Sequence, residues 1–376
     1  MRVAIINLTR GGMSGGYRKY LRNVLPRMAN HPKVDEILCV GHRSLGLADW
    51  FEEKPNLHFA NCDSFRLLRS SFDTGLRKHL ERFSPDILFI PTERFLKFRE
   101  VPVVNMVQNM EPLAYTDKNN PVSEKIKNFV RRKVSLATFE SSQRIIATSQ
   151  FVKQFLISDF AIPETKIGVV YHGASDIGTV QSRPQIIPEE CKGRFLFTAG
   201  SIRPARGLED IINAVALLAK KQIDIKLVIA GYTALNMLRY RNRLESHIAI
   251  NCISDRVIWT GNLRSQEMDW CYKNCHAFIM TSRVESFGII ATEAMAGGCI
   301  CISADNPCLP ELFGDASIYY PPKDGKLLAD VIKTVLAWED NQRKIMSEKA
   351  KKRAAEFSWD VCAKKTVAES IKTIDK

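Results

Sequence analysis

The sequence predicts an α/β protein with two doubly wound, Rossmann-like domains, and three observations lead to this prediction. The chain has 376 residues, which is too long for one typical domain and suits two. It opens with an apolar run, a glycine-rich loop and a helical pattern, which is the order in which nucleotide-binding folds begin. Near its middle, the polar and proline-containing stretch 176–190 has no apolar period and is typical of a linker.

The composition is that of an ordinary globular protein. Hydrophobic residues make up 45% of the chain and charged residues 25%. No run of 18 apolar residues occurs, so we expect no membrane-spanning helix, and the N-terminus lacks the layout of a signal peptide. The ten cysteines form no framework and have no histidine or cysteine partners at zinc spacing. Free thiols in a cytoplasmic protein without a metal are therefore expected.

The net charge of +13 predicts acidic partners, namely nucleic acid, anionic lipid or a phosphorylated substrate. No nucleic-acid-binding motif accompanies the charge, so nucleic acid is not an expected partner. Residues 125–134 alternate basic and apolar side chains at helical spacing. This pattern fits a helix on an anionic membrane surface, and it fits equally an amphipathic helix packed on its own domain.

The first glycine-rich loop follows the strand-like run Arg2–Leu8 and includes Gly12, Gly15 and Gly16. Its spacing matches neither the dinucleotide fingerprint, which Met13 interrupts, nor a phosphate-binding P-loop, which would need lysine after the last glycine. What remains is either a flexible loop that approaches a diphosphate or an acceptor, or a plain tight turn.

The apolar run 101–107 predicts a strand that ends at Gln108 and Asn109. Ligands of doubly wound sheets bind at the carboxyl ends of the strands, so these two amides should face the cleft. A neutral amide can hydrogen-bond a sugar hydroxyl but cannot carry a proton. The alternative is an asparagine that only forms a turn.

The second half opens with a predicted strand, Phe195–Gly200, and a loop that carries Arg203 and Arg206 before the helix 208–218. A guanidinium group grips phosphate oxygens with two parallel hydrogen bonds. These two arginines are therefore candidates for binding a diphosphate, and the alternative is an exposed basic loop without a ligand.

The most informative stretch is 281–298. The apolar run Ala277–Met280 predicts a buried strand, and helical spacing begins at Ile289 and ends at two glycines. The start of such a helix presents unpaired N–H groups and the positive end of its dipole, which together bind phosphate. Glu285 lies in the loop and Glu293 in the helix, and eight helical positions span roughly 12 Å. That is too far for a retaining glycosidase pair, which needs about 5–5.5 Å, so the two carboxylates contact either different parts of one long ligand or solvent.

This stretch resembles the Glu-x7-Glu signature of glycosyltransferase family 4, with Glu285 and Glu293 as its two glutamates. The segments Cys299–Ala304, Leu309–Leu312 and Gly314–Ala316 are similar to the same family. The resemblance implies the GT-B fold, in which two Rossmann-like domains face an interdomain cleft. It also implies transfer of a sugar from a nucleotide donor without a metal.

The resemblance further implies the domain limits. The first domain, on the acceptor side, would comprise residues 1–175 together with a C-terminal helix at about 358–376 that packs back on it. The linker would be 176–190, and the nucleotide-sugar domain would be 191–357.

The resemblance also assigns the donor site. Glu293 would bind the ribose, Glu285 a sugar hydroxyl, and the backbone after the strand 257–260 the nucleotide base. The complete expected donor-binding set is Gly12, Gly15, Gly16, Arg203, Arg206, Asn262, Leu263, Glu285, Ser286, Phe287, Gly288, Ile289 and Glu293.

Two departures from the family pattern are visible. The family usually has a histidine near the end of the strand 101–107, and Gln108 or Asn109 stands there instead. The family also places arginine directly after Gly200, where this chain has Ser201, and lysine before Gly207, where it has Arg206. The expected catalytic residues are therefore Glu285, Gln108, Asn109 and Arg206.

The expected activity is retaining transfer of a sugar from a nucleotide-diphosphate sugar to a carbohydrate or lipid-linked saccharide, in assembly of a cell-surface polysaccharide such as lipopolysaccharide. We expect no cofactor and a cytoplasmic protein that is peripheral on the inner face of the membrane. Two other functions stay open at this point. One is a nucleotide-sugar epimerase on the same scaffold, and the other is a non-catalytic binder of sugar nucleotides.

Overall fold

The computed structural model describes residues 1–8, 15–62, 74–175 and 177–374. Its contacts divide the chain into two compact units. The first unit comprises Met1–Leu113, Phe129–Gly173 and Ser358–Lys376, and the second comprises Ala114–Asn128 and Ala174–Phe357. Residues 114–128, which the sequence analysis placed in the first domain, thus group with the second unit.

The described strands of the first unit form one parallel sheet in the order β3-β2-β1-β4-β5-β6-β7. Their apolar runs are buried on both faces, as parallel sheets covered by helices require. The chain winds one way from β1 to β3 and the other way from β4 onward, so the order changes direction between β1 and β4. The strands are β1 (Arg2–Ile6), β2 (Glu36–His42), β3 (Leu57–Cys62), β4 (Ile87–Ile90), β5 (Val103–Met106), β6 (Arg144–Ala147) and β7 (Ile167–Val169).

The helices of the first unit cover this sheet, and the last of them comes from the C-terminal end of the chain. They are α1 (Gly15–Ala29), α2 (Thr74–Phe83), α3 (Glu111–Ala114), α4 (Val122–Ser141), α5 (Gln150–Phe160) and α13 (Trp359–Ile371). The division between the units falls within α3 and α4, because Ala114 and residues 122–128 belong to the second unit.

The helix α13 is held on the first unit by its side chains. Glu369 forms an ion pair with Arg144 at the start of β6, and Arg27 of α1 pairs with Asp360 at 2.9 Å. The ring of Trp359 stacks on His172 at a centroid distance of 5.9 Å. The C-terminal helix therefore belongs structurally to the unit that the N-terminus begins.

The second unit repeats the same winding. Its described strands form a parallel sheet in the order β10-β9-β8-β11-β12-β13, which is again the doubly wound arrangement. The strands are β8 (Phe195–Ala199), β9 (Lys226–Ala230), β10 (Val257–Gly261), β11 (Ala277–Met280), β12 (Cys301–Ala304) and β13 (Ser317–Tyr320). Its helices are α6 (Leu208–Lys220), α7 (Leu238–Ile250), α8 (Ser265–Asn274), α9 (Ile289–Ala296), α10 (Leu309–Phe313), α11 (Gly325–Leu336) and α12 (Asp340–Ala355).

One layer of the second unit's core lies between its sheet and the helices α6 and α11. Ile211 and Val215 of α6 and Leu328 and Ile332 of α11 are buried against strand residues such as Ile279. This packing fixes the N-terminus of α6 beside β11. Since β8 and β11 are neighbours whose chains continue in opposite directions, the loops that follow them meet at the switch point of the sheet, where doubly wound folds bind ligands.

Among the described residues, no helix combines the length and the hydropathy that crossing a membrane requires.

Candidate active site

The loops after β8 and β11 are joined by hydrogen bonds. Arg283 donates its backbone N–H to the carbonyl of Ala205 at 2.8 Å, and the Thr281 hydroxyl donates to the carbonyl of Arg206 at 2.6 Å. Gly207 has a φ of 61°, and a Cβ there would collide with the Thr281 carbonyl oxygen and the Arg283 side chain. Glycine at this position therefore allows the two loops to approach each other.

Arg206 connects the two loops through its side chain. Its Nη1 atom lies 3.1 Å from the Ser282 hydroxyl and forms an ion pair with Glu285. The exposed fractions are 24% for the Arg206 side chain and 14% for that of Glu285, so solvent reaches both groups. Two of the predicted catalytic residues thus lie in contact at the switch point. The sequence did not predict that they pair with each other.

The helix α9 begins where the sequence predicted. Gly288 precedes its first residue with a φ of 97° and, as a glycine, has no side chain with which to cap the helix. The dipole of α9 and the amides of its first turn point towards this loop, which is the arrangement that binds anions. Phe287 instead turns its ring into the interior, edge-on to Phe357 at 5.5 Å. The other residues expected to offer backbone N–H groups to the donor lie at the end of this loop and at the first position of α9. They are Ser286, Gly288 and Ile289.

Glu293, the second glutamate of the motif, lies inside the second unit. Only 6% of it is exposed, and its Oε2 atom accepts a hydrogen bond from the Tyr272 hydroxyl at 3.2 Å. Tyr272 is itself buried on α8. The tyrosine therefore orients the carboxylate. The role of Glu293 in binding a ribose stays a prediction.

Arg203 has a partner that the sequence did not predict. Its Nη2 atom lies 3.7 Å from Oε1 of Glu124, a buried carboxylate in the segment 114–128. Asn236 donates to the other oxygen of Glu124 at 3.1 Å. Nothing in the local sequence around Glu124 signals this contact, because the partners are far apart in the chain.

Asn262 and Leu263 follow β10 at the same end of the sheet. Gly261 precedes them with a φ of 67°, and its carbonyl accepts the N–H of Gly231 at 2.8 Å. Asn262 is exposed and Leu263 is half-buried, so the backbone at this strand end is open to a ligand. Their predicted contact with a nucleotide base is not contradicted by this position and stays a prediction.

In the first unit, Gln108 and Asn109 follow β5, and both are held by Glu93. The Glu93 Oε1 atom accepts the backbone N–H of Gln108 and that of Asn109, the latter at 2.8 Å. Burial raises the pKa of the Glu93 carboxyl. The Asn109 side chain accepts the N–H of Glu111 at 3.0 Å and so caps α3. Glu93 was missed by the sequence analysis, although its position just after the end of β4 was a signal.

The structure describes two of the three glycines that were expected to bind the donor in the first loop. Gly12 lies outside the described residues. Gly15 and Gly16 form the start of α1, and among the described residues no atom lies within 4 Å of the position that a Cβ would take at Gly15. Their role as donor-binding residues stays a prediction.

The ten cysteines are free thiols. The sulfurs of Cys275 and Cys299 are 3.8 Å apart, and both belong to the region around α8. Within the described parts of the chain, no three His, Cys, Asp or Glu side chains are grouped so that they could hold a metal ion.

Two protein-family models match the chain. The model described as Glycosyltransferase Family 4 matches residues 14–176, and the model described as Glycosyl transferases group 1 matches residues 181–353. Together they account for most of the chain and for both units.

Relatives found by sequence include several glycosyltransferases. An uncharacterised glycosyltransferase of Methanocaldococcus jannaschii is 28% identical over 243 residues, which is 62% of this chain and 60% of the relative. The chain thus spans less than two thirds of that relative, and the alignment with the mannosyltransferase WbdA of Escherichia coli spans 28% of its length. The O-antigen chain mannosyltransferase RfbU of Salmonella typhimurium is 23% identical, covering 88% of this chain and 90% of the relative.

Solved structures share the fold over nearly the whole length. Anabaena HepE, solved in complex with UDP-glucose, has a TM-score of 0.73 at 16% identity and covers 99% of this chain and 100% of its own. WaaG, a glycosyltransferase involved in lipopolysaccharide biosynthesis, has a TM-score of 0.67 at 13% identity, with coverage of 98% and 99%. Both likenesses show the fold, which is the predicted GT-B type. With the two family models, the Glu285–Glu293 motif and the doubly wound sheets in agreement, the chain belongs to glycosyltransferase family 4.

Proposed function

We propose that this glycosyltransferase moves a sugar from a nucleotide-diphosphate sugar to a saccharide or lipid-linked saccharide acceptor, with retention of the anomeric configuration and without a metal. RfbU, an O-antigen chain mannosyltransferase, and WaaG, which is involved in lipopolysaccharide biosynthesis, support an acceptor of the cell-surface polysaccharide class. The donor class is supported by the UDP-glucose complex of HepE.

One observation carries the proposal, namely the contact of Arg206 with Ser282 and Glu285 in the loop that leads into α9. Breaking the bond between sugar and diphosphate leaves negative charge on the departing phosphate. A guanidinium and helix N–H groups fixed in advance stabilise such charge without having to reorganise. Arg206 would supply the first and the backbone from Gly288 the second.

In this proposal Glu285 has two partners in turn. Without donor, its carboxylate neutralises Arg206. With donor bound, the diphosphate takes over the guanidinium and Glu285 accepts a hydroxyl of the transferred sugar. The acceptor hydroxyl then bonds to the anomeric carbon on the face that the phosphate leaves, and its proton passes to the phosphate oxygen. No protein base is required by this scheme.

A membrane surface is the proposed location of the acceptor. Along α4, Val122, Ile126 and Phe129 are 72%, 59% and 64% exposed, and they are spaced i, i+4 and i+7 so that they share a helix face. The exposed Lys133 lies 6.0 Å from the Phe129 ring and continues that face. Exposed apolar residues together with lysines are what an interfacial helix uses on anionic lipid. We propose peripheral binding to the cytoplasmic face of the membrane through this face.

The test is turnover with defined donors. Purified protein is incubated with UDP-glucose or GDP-mannose, lipid-linked saccharide extracted from bacterial envelopes, and a chelator. Glycosylated product with the donor's anomeric configuration supports the proposal. An inverted product, or a product that forms only with added divalent metal, would contradict it.

A further inference from the structure

A polar pocket of about 490 Å³ lies in the second unit, beside the N-terminus of α6 and apart from the Arg206–Glu285 contact. We call it the α6 pocket. Its volume is within the range of about 300–1,000 Å³ typical of small-molecule sites. Its walls are the loop 115–119, the first turns of α6, and the side chains of Arg283 and Lys323.

The floor of the α6 pocket is a buried ion pair. Both terminal nitrogens of Arg283 donate to Asp210, at 2.5 and 2.6 Å. Asp210 also accepts the Tyr320 hydroxyl at 3.1 Å and the backbone N–H of Lys323 at 2.9 Å. Lys323 makes this bond with a left-handed backbone, at a φ of 69°. The floor is therefore rigid, and its charges are already neutralised by each other.

The loop wall is fixed in the same way. The Asp117 carboxylate accepts the Tyr115 hydroxyl at 2.5 Å and the backbone N–H of Asn119 at 2.7 Å. On the opposite wall, Glu209 of α6 accepts the Tyr240 hydroxyl at 2.9 Å. Both carboxylates keep further lone pairs that can accept hydroxyl groups of a ligand.

Two amides present donors to the pocket. The side-chain oxygen of Asn119 accepts from Arg243 at 3.0 Å, and that of Asn213 lies 2.5 Å from the ring nitrogen of His247. Among the hydrogen bonds of the described residues, neither amino group is engaged. The oxygens are thus held from outside the pocket, and each amino group remains a donor for a ligand.

Two lysines add further donors. Lys118 and Lys323 are exposed, and both line the pocket. In the part of the chain that the structure describes, the amine of neither lysine forms an ion pair with a carboxylate. Each amine can offer up to three N–H groups.

The charges of the lining select the class of ligand. Three cationic side chains, Lys118, Arg283 and Lys323, face three carboxylates, those of Asp117, Glu209 and Asp210. The carboxylates would repel a phosphate, and the equal number of cationic and anionic groups favours a neutral ligand. A neutral ligand that needs many donors and acceptors at once is a polyhydroxylated sugar.

We propose that the α6 pocket binds a neutral sugar residue of the acceptor saccharide. This inference rests on the proposed function, because it assumes that the acceptor is a saccharide. The position of Arg283 links the two sites, since it forms the pocket floor and lies two residues before Glu285 in the same loop. An occupied pocket would thereby hold the acceptor chain beside the loop that faces the donor.

The experiment measures saccharide binding to purified protein on an array of immobilised oligosaccharides. The array carries neutral hexose, deoxyhexose and acetamido-sugar chains, together with phosphorylated and uronic-acid chains. One pocket variant is Lys118→Ala/Lys323→Ala, which removes two donors. A second is Thr116→Trp, which places a large ring from the exposed loop into the pocket. The control Lys192→Ala/Lys220→Ala makes the same change of charge at exposed positions outside the lining.

The wild type should bind at least one neutral oligosaccharide, both pocket variants should lower that affinity at least tenfold, and the control should leave it within twofold. The proposal is overturned if the wild type binds no neutral chain, if it binds only phosphorylated or uronic-acid chains, or if both pocket variants bind as the wild type does. Calorimetry of the wild type with UDP-glucose and GDP-mannose is run in parallel. Absence of donor binding there would count against the proposed function, whereas a wild type that binds the donor but no neutral saccharide counts against the pocket alone.

Discussion

Arg206 and Glu285, which are 79 positions apart, form an ion pair that joins the loop after β8 to the loop after β11. Ser282 shares the same guanidinium nitrogen at 3.1 Å. The pair is partly open to solvent, so a ligand can reach it. Because Glu285 holds the guanidinium of Arg206 in place, the site would have a defined geometry before the donor diphosphate binds.

Glu285→Ala should leave the fold intact and lower sugar transfer by about 10²–10³-fold, because one stabilising contact in the transition state is lost. Donor binding should be retained, since Arg206 is then released to the diphosphate. Transfer rates and donor calorimetry on the same preparation give both quantities. Glu348→Ala, which changes an exposed glutamate of the same unit, is the control. Near-normal transfer by Glu285→Ala would remove this residue from the proposed role.

Asp210→Ala should destabilise the protein by about 3–5 kcal/mol, because it leaves the Arg283 guanidinium buried without its carboxylate. The matched control is Asp330→Ala, which breaks an exposed pair with Lys221 at 3.5 Å and should change stability by no more than about 0.5 kcal/mol. Urea unfolding measures both. Equal losses of unfolding free energy in the two variants would show that the buried pair contributes no more to stability than the exposed pair does.

Gly207→Ala should lower the free energy of unfolding by more than Gly193→Ala does. Both glycines have positive φ values, 61° and 74°, so alanine at either site carries a backbone penalty of about 1–2 kcal/mol. Only at Gly207 does the new Cβ also collide with the neighbouring loop, whereas nothing lies within 4 Å at Gly193. Thermal unfolding separates the two effects. A smaller loss for Gly207→Ala would mean that the loops can separate without cost.

Burial lowers the pKa of His172 to about 3, so the buried ring is neutral at neutral pH. The unfolded chain takes up a proton near pH 6.5 and the folded chain does not, so the stability that this residue contributes falls as the pH drops from about 6.5 towards 3. The slope of that contribution is about 1.4 kcal/mol per pH unit. His172→Phe keeps a ring between Tyr20 and Trp359 and should flatten the profile by this amount. Unfolding free energies of both proteins between pH 4 and 7 make the comparison, and parallel profiles would contradict it.

Ile126→Ser/Phe129→Ser should reduce binding to vesicles that contain anionic lipid, because it removes two exposed apolar side chains of α4. Sedimentation with vesicles of phosphatidylglycerol and phosphatidylethanolamine measures the bound fraction. Ile250→Ser/Ile345→Ser, at exposed positions on other helices, is the control. If the control lost as much binding as the α4 variant, or if neither lost any, the α4 face would not be the membrane contact.

The local pattern of the sequence was sufficient to predict the elements of the switch point. The strand β11 and the helix α9 have the predicted limits, because a short apolar run and a helical period ending in two glycines are strong local signals. The start of α8 at Ser265 is fixed by the Glu267 side chain, which accepts the backbone N–H of Arg264 just before the first turn.

Contacts between distant segments could not be read from the sequence. The pairing of Arg203 with Glu124 depends on the grouping of residues 114–128 with the second unit. The binding of two backbone amides by Glu93 depends on the adjacency of β4 and β5. Each is set by tertiary packing, which leaves no period or motif near the residue itself.

The central claim is that the diphosphate of the donor lies between Arg206 and the start of α9, and a crystal structure with bound UDP-glucose or GDP-mannose tests it most directly. We predict phosphate oxygens within hydrogen-bond distance of the Arg206 guanidinium and of the backbone N–H groups that follow Gly288, with Glu285 turned to the sugar. A diphosphate bound elsewhere, with the Arg206–Glu285 pair still closed, would contradict it.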